Sequence, residues 1–341
     1  MRIIRERAHA RAGLVGNPSD GYHGKTISVL VRNFAAEVTL YEWERIELLL
    51  SQEDHSRFDS IHDVVQDVYL HGYYGGIRLI KATIKRFVEF CEGRRAAGES
   101  GFALHDGKFA IRYTSNIPRQ VGMAGSSAII VATLRALQTF YEVTIPRRVL
   151  PALALSVERE ELGIAAGLQD RVIQVYGGVV YMDFGRDRRG EEAGYEYYHY
   201  EPLDPQLLPT LYVAYTRDRS EPTEVLHNPL RARYERGEPA VLQAMQEFAG
   251  FAAEAREAIL QARFDRLEQL MNLNFDTRRR ICPLSPTHVR MVETARSVGA
   301  SAKFSGSGGA IIGVYRGEPM YQELVRALGA INCAVVKPIL V

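Results

Sequence analysis

A strand-like run hands over to a helix-like run through Gly122-Met123-Ala124-Gly125-Ser126-Ser127-Ala128, and this junction constrains the chain more than any other stretch. Upstream, Phe109, Ile111 and Tyr113 alternate with Lys108, Ala110 and Arg112, the period of a half-buried strand. Downstream, Ile130, Leu134, Leu137 and Tyr141 recur at helical spacing. Small residues and two hydroxyls therefore fill a helix's first turn, where amide N–H groups lack partners and the dipole is positive. Such a turn lets a polyphosphate approach the backbone and accept hydrogen bonds from it. No Gly-Lys-Ser/Thr follows, so this is not a Walker loop. Taken alone, a Gly-Ser-Ser turn more often does no more than start a helix. The rest of the chain carries the argument.

At 341 residues the chain exceeds what one core usually serves, and two domains are expected. Lys and Arg number 42 against 41 Asp and Glu, a net charge of +1 that offers no polyanion-binding surface, so no nucleic-acid partner is expected. Cys91, Cys282 and Cys333 are too few and too far apart for a disulfide framework or a zinc site. The first residues lack an apolar core of signal-peptide length, and no later run could span a bilayer. A cytoplasmic enzyme with no membrane partner fits this composition.

The pattern predicts strands at 26–31, 36–41 and 45–50, a helix at 72–92, a strand at 108–113 and a helix at 126–141. A helix at 146–163 starts on Pro146, and a strand follows at 179–184. The charged, glycine-containing stretch 186–196 reads as a linker. Strands at 197–201 and 209–216, helices at 239–262 and 263–280, and a helix capped by Ser285 before Pro286 come next. Two strands around a glycine turn occupy 300–315, then a helix at 318–328 and a strand at 332–338. This order argues an α+β fold, with antiparallel sheets covered by helices on one face.

Several motifs can carry chemistry. Arg11, at the end of a strand, precedes a Gly/Asn/Pro/Ser/Asp loop running to Gly21. That loop is either a polar hairpin tip or a place where Arg11 meets an anion and Asp20 accepts from substrate hydroxyls. Asn116-Ile117-Pro118-Arg119-Gln120 leads into the 122–127 loop. Lys303-Phe304-Ser305-Gly306-Ser307-Gly308-Gly309-Ala310 has more glycine than a two-residue hairpin needs, which favours close approach of a ligand to its backbone. Glu158, late in a helix, and Asp170, opening the next segment after Gly163 and Gly167, are the candidate catalytic carboxylates. Acids at helix ends are usually solvated, and Asp170 could be a plain cap. Against that, Leu168, Val172, Ile173 and Val175 supply an apolar surround, where a charge needs a partner such as Arg11.

Arg11-x-x-Leu14-x-Gly16, Gly122-x-x-x-Ser126-Ser127-Ala128, Gly167-Leu168-Gln169-Asp170 and Gly306-Ser307-Gly308-Gly309, in that order, resemble the GHMP small-molecule kinases. Gly16-Asn17-Pro18-Ser19-Asp20 and the blocks at 72–79, 116–120, 161–178, 271–280 and 303–309 resemble the glucuronokinase branch of that family. The resemblance implies a two-domain fold. Residues 1–190 would form an ATP-binding domain like domain 2 of ribosomal protein S5, and 191–341 a ferredoxin-like domain, with the site in the cleft between.

It also implies roles. Pro118, Gly122, Ala124, Gly125, Ser126 and Ser127, with Gly306, Ser307 and Gly308, would bind ATP. Ser127 and Glu158 would hold Mg²⁺; Glu158 stands twelve residues before Asp170, as the magnesium glutamate does in galactokinase-like members. Asp170 would be catalytic and paired with Arg11, while Asp20, Asn17, Arg119 and Gly309 would face the substrate. Where galactokinase-like members read Gly-Glu-His, this chain has Gly16-Asn17-Pro18, which speaks against galactose. The implied activity is transfer of the ATP γ-phosphoryl to the anomeric hydroxyl of D-glucuronate by a monomer or homodimer. A uronate carboxylate calls for an arginine fork, with Arg119, Arg278 and Arg279 as candidates. Arginines 278 and 279 could equally be salt-bridging a helix face. A kinase for a heptose phosphate, fucose or galactose, a non-catalytic sugar or ATP sensor, and a decarboxylating relative are the competing readings.

Overall fold

The computed structural model describes residues 2–49, 76–218 and 224–340. Its first sheet is laid on one long antiparallel ribbon. Strand β1 (Ile3–Val15) and strand β2 (Lys25–Glu42) pair from Ile3 opposite Tyr41 to Val15 opposite Ile27. Ile27, Val29 and Val31 are buried on β2, and then Ala36, Val38 and Leu40, so the buried parity changes midway. The cause is a bulge: Ala10 pairs with Val31 but His9 with Ala35, leaving Arg32, Asn33 and Phe34 over. The C-terminal tail ties that bulge, with Arg32 N donating to Ile339 O (2.8 Å) and Asn33 bonding to Lys337 and Ile339. The strands expected at 26–31 and 36–41 are therefore one strand, because its polar interruption is hydrogen-bonded in place instead of turning.

Strand β3 (Glu47–Leu48), all that forms of the expected 45–50 strand among the described residues, runs parallel to β4 (Phe109–Ser115). β4 lies along Ala36–Glu42 of β2, and β5 (Val179–Asp183) along Lys25–Val29. Helix α1 (Gly76–Ala96) outruns its expected end at 92, and residues 72–75 lie outside the described residues. Helix α2 (Gly125–Tyr141) packs on β1 and β2 and is contacted by α1. The single helix expected at 146–163 is α3 (Leu150–Ser156) continued by a widened π turn, Val157–Glu161, before Gly163 at φ +67°. Helix α4 (Gln169–Tyr176) follows.

The stretch read as a linker is instead a hairpin, β6 (Gly190–Glu192) with β7 (Tyr195–Tyr197). Aromatic anchoring explains it: Tyr195 packs 5.8 Å from Phe90, and the Arg148 guanidinium lies over the Tyr197 ring. Strand β8 (His199–Leu203) then rejoins the first sheet beside β5, so the chain crosses to the second sheet at 204–210.

That second sheet runs β10-β11-β9-β12, all antiparallel, from β9 (Leu211–Thr216), β10 (Lys303–Phe304), β11 (Ala310–Val314) and β12 (Cys333–Val336). Helices α5 (Glu224–Glu235), α6 (Pro239–Leu260), α7 (Phe264–Ile281), α8 (Pro286–Ser297) and α9 (Gly317–Gly329) accompany it. Ser285 does precede α8, but its side chain makes no capping hydrogen bond. The apolar core of the first sheet continues through Ala255, Ile259, Leu270 and Met271 to Ala310 and Ile312, so the two sheets share buried surface. The mixed, largely antiparallel α+β architecture is as expected. Among the described residues no helix is long and apolar enough to cross a membrane.

Candidate active site

The site grows from the free edge of β1. Its other edge is taken by β2, and toward the open side Arg11 N donates to Met123 O (3.2 Å) and Gly13 N to Ser305 O (2.8 Å). Two loops far apart in sequence are thereby pinned side by side on one strand. They touch glycine to glycine: a Cβ on Gly306 would lie 2.2 Å from Gly122 O, and one on Gly122 would lie 2.8 Å from Ser307 N.

Arg11 is the rivet. It sits within β1, not at its end as expected, and is 6% exposed. Its Nε donates to Asp170 Oδ1 at 2.7 Å, and its Nη1 to Gly122 O at 2.5 Å and Ser305 O at 3.3 Å. One guanidinium thus ties the expected catalytic carboxylate to both glycine loops.

The 122–127 loop and its approach hold Gln120, Gly122 and Ala124 at φ +58°, +68° and +64°. No side chain caps α2, and no acidic residue stands in its first turn. The Ala124 carbonyl accepts from Ser127 Oγ (3.2 Å) and from Gln174 Nε2 (2.9 Å), which fixes the turn from behind. Gly125 and Ser126 are half-buried at its front, with Pro118 half-buried and Arg119 exposed on the approach. A helix start of this kind, uncapped and free of acidic side chains, can receive an anion.

Asp170 lies in the first turn of α4, and Asp20 on the short 3₁₀ turn Ser19–Tyr22. The two carboxylates feel each other. The Asp20 carboxyl is pushed up to about 6, first by burial and then by the Asp170 charge, against the pull of Arg11. Gly167 makes the room, since a Cβ there would stand 2.2 Å from Asp20 Oδ2. Glu158, on the π turn, is buried and ion-paired with Arg171.

Other expected residues are held in the scaffold. The Asn17 carbonyl accepts from Asn274 Nδ2 (3.0 Å), and its Oδ1 from Lys303 Nζ (2.6 Å). Lys303 is fully buried and also reaches the carbonyls of Gly13 and Phe304 at 2.7 Å. Burial, then the Arg278 and Arg11 charges, pull its ammonium well below the usual lysine range. Arg278 donates to Gly306 O (2.6 Å) and Ser307 O (3.1 Å), and Arg279 pairs with Glu293 on an exposed helix face. Neither is therefore placed to meet a substrate carboxylate. Gly309 is buried, its carbonyl accepting from Thr216 N, and Gly308 faces His288.

Sequence reasoning assigned no role to Arg171, Lys303, Asn274 or Gln174. The available signal was charge: buried Glu158 requires a cation, and Arg171 stands beside Asp170. The donors expected to meet magnesium, a hydroxyl on Ser127 and a carboxylate on Glu158, are hard oxygens of the kind that ion takes. Ser127 fits, lying at the uncapped helix start, and Glu158 fits as well, since its buried Oε2 beside the Arg171 guanidinium has no hydrogen-bond partner.

Residues 78–178 match the GHMP kinases N terminal domain family. Glucuronokinase 1 of Arabidopsis thaliana is 42% identical over 316 residues, covering 91% of this chain and 84% of that protein. The D-glycero-alpha-D-manno-heptose 7-phosphate kinase of Campylobacter jejuni is 23% identical, over 90% of this chain and 87% of its own. Lactococcus lactis galactokinase complexed with galactose superposes with a TM-score of 0.75 over 99% of this chain and 94% of its own. At 14% identity, that likeness concerns the fold alone.

Proposed function

This chain belongs to the GHMP kinase family, and from that premise we propose that it phosphorylates D-glucuronate at its anomeric hydroxyl, giving glucuronate 1-phosphate and ADP from ATP. The observation that carries the reading is Arg11, which binds Asp170 and the carbonyls of both glycine loops at once. The substrate rests on the similarity to Arabidopsis glucuronokinases.

ATP would lay its phosphates on the amides at the start of α2, where Gly125 and Ser126 leave the backbone open. Ser127 and Glu158 would hold magnesium, which would supply charge neutralisation to the transferred phosphoryl group. The sugar hydroxyl oxygen attacks the γ-phosphorus, the bond to the β,γ-bridging oxygen breaks, and ADP leaves. Asp170 takes or orients the hydroxyl proton, and Arg11 keeps the carboxylate aimed. Asp20, ionised above pH about 6, accepts from another sugar hydroxyl. Of the three arginines considered for the uronate carboxylate, Arg119 remains, on the exposed approach to the loop.

Phosphorus NMR of ATP–Mg²⁺ incubated with glucuronate, galactose and heptose phosphates tests the substrate. A new sugar 1-phosphate resonance with glucuronate is expected; one with galactose or a heptose phosphate alone would replace this reading. Asp170→Asn should cut kcat by about 10³-fold while ATP affinity by calorimetry stays within about twofold. A matching loss of ATP affinity would mean that Asp170 serves the nucleotide instead.

A further inference from the structure

Gln169 has no place in that scheme, yet it is joined to both carboxylates that do. It is the first residue of α4, immediately before Asp170, and its main-chain N–H donates to Asp20. A glutamine that opens a helix usually lies in solvent, but this one is 2% exposed. Its amide end lies over the bare Cα of Gly13. A Cβ there would stand 3.0 Å from Gln169 Nε2, 3.1 Å from Asn17 Cγ and 2.9 Å from Ser305 O. Three elements therefore meet at one glycine: α4, the loop after β1 and the 303–309 turn. The neighbouring acceptors are engaged, since Asn17 Oδ1 accepts from Lys303, and Ser305 O from Gly13 N and Arg11 Nη1. Gln169 Oε1 is different: it is buried and has no hydrogen-bond partner among the described residues.

We propose that Gln169 is a substrate-contact residue that helps set which sugar is accepted, its Oε1 taking a hydrogen bond from one ring hydroxyl other than the anomeric one. The inference rests on the kinase reading above. An enclosed acceptor left without a donor is costly, and a ligand that brings an O–H to it removes that cost. A pyranose brings several hydroxyls, each able to donate one hydrogen while accepting another. Asn17 has given its side-chain oxygen to Lys303, so the polar end it has left is the Nδ2 donor. The two amides beside Gly13 can thus receive one hydroxyl between them, Gln169 as acceptor and Asn17 as donor. Gln169 and Asp170 are consecutive on α4, so a hydroxyl held by the first fixes how the anomeric hydroxyl meets the second. Asp20, held by the Gln169 main chain and not by its side chain, takes a different hydroxyl of the same ring. A site built in this way rejects an analogue that lacks the partnered hydroxyl, because the buried acceptor is then left bare.

The test measures kcat/KM with ATP–Mg²⁺ for glucuronate and for its 2-, 3- and 4-deoxy analogues, using wild type, Gln169→Met and Asp20→Asn as full chains. Methionine keeps the length of the side chain and removes the acceptor. Gln169→Met should lose about 10–100-fold in kcat/KM for glucuronate, with the ATP KM within about twofold. One deoxy analogue should be turned over alike by wild type and Gln169→Met, because hydroxyl and acceptor are then both gone, while the other two still show the loss. Asp20→Asn should be levelled with wild type by a different analogue. A loss of the same size on all four sugars would make Gln169 a structural residue and overturn the proposal. So would an unchanged kcat/KM for glucuronate, or a single analogue that levels both variants. If Gln169→Met fails to fold, the wild-type panel decides alone: losses of about tenfold or more with at least two deoxy analogues support the contact, and fewer overturn it. A wild type inactive on every sugar would remove the kinase reading itself, whereas an active wild type matched by Gln169→Met removes only this inference.

Discussion

The two glycine loops look alike in sequence and are opposites in the structure. The 122–127 loop shows half-buried Gly125 and Ser126 at the start of an uncapped helix, whereas residues 303–309 are buried throughout. Both have their carbonyls occupied. Ser127 and Gln174 hold that of Ala124, while Arg278 holds those of Gly306 and Ser307, and Lys303 that of Phe304. Occupying carbonyls turns a loop into a source of N–H groups; burial then decides whether a ligand reaches them. The open loop is suited to receive phosphate, and the sealed turn to hold the open one in place.

The contrast breaks hardest at Gly306. Gly306→Ala puts a methyl 2.2 Å from Gly122 O and 2.9 Å from Arg11 Nη1. It should lower kcat/KM by about 100-fold and reduce the melting temperature, and normal kinetics would show that the loops need not touch. Next is Arg278→Met, which strips two buried carbonyls of their donor and should cost about 2–4 kcal/mol in urea unfolding. A loss below about 0.5 kcal/mol would mean that the turn holds itself.

Asp20 sharpens the functional side. Its raised pKa means that the folded chain binds its proton more tightly than the unfolded chain does, so its contribution to stability is greatest below the ordinary aspartate value of 3.8 and is lost as pH rises through about 6. Sugar kcat/KM should run the other way, falling as pH drops through about 6. Asp20→Asn should raise the sugar KM by about tenfold and remove that limb, with the ATP KM unchanged. The smallest effect is at Gly125, where a Cβ would meet Ile117 at an ordinary 3.7 Å. Gly125→Ala should change stability by less than about 0.5 kcal/mol and show itself only in a raised KM for ATP.

Local pattern revealed what is local. The alternation at 109–113 and the helical spacing after Ser127 placed β4 and α2 within a residue or two, and the glycine motifs marked the loops that meet. Where the reading failed, a distant contact had overridden a local cue. Tail hydrogen bonds keep Arg32 and Asn33 in β2, and the tilted packing of Tyr195 against Phe90 folds the supposed linker. Partnerships across the chain were the least legible, since Arg11 meets Asp170 159 residues on and Lys303 meets Asn17 286 residues back. Arg11 was anticipated because an aspartate in an apolar surround demands a cation. Lys303 was not, because its acceptors are carbonyls and an amide oxygen, which carry no mark in a sequence.

The pinning of both loops to β1 has a consequence for the nascent polypeptide. Gly13 N finds its outer partner in Ser305 O, so that edge of β1 stays incomplete until Ser305 has been made. A ribosome stalled before Lys303 would hold a chain with no backing for its nucleotide loop and an unsatisfied strand margin, the condition in which holdase chaperones and aggregation compete.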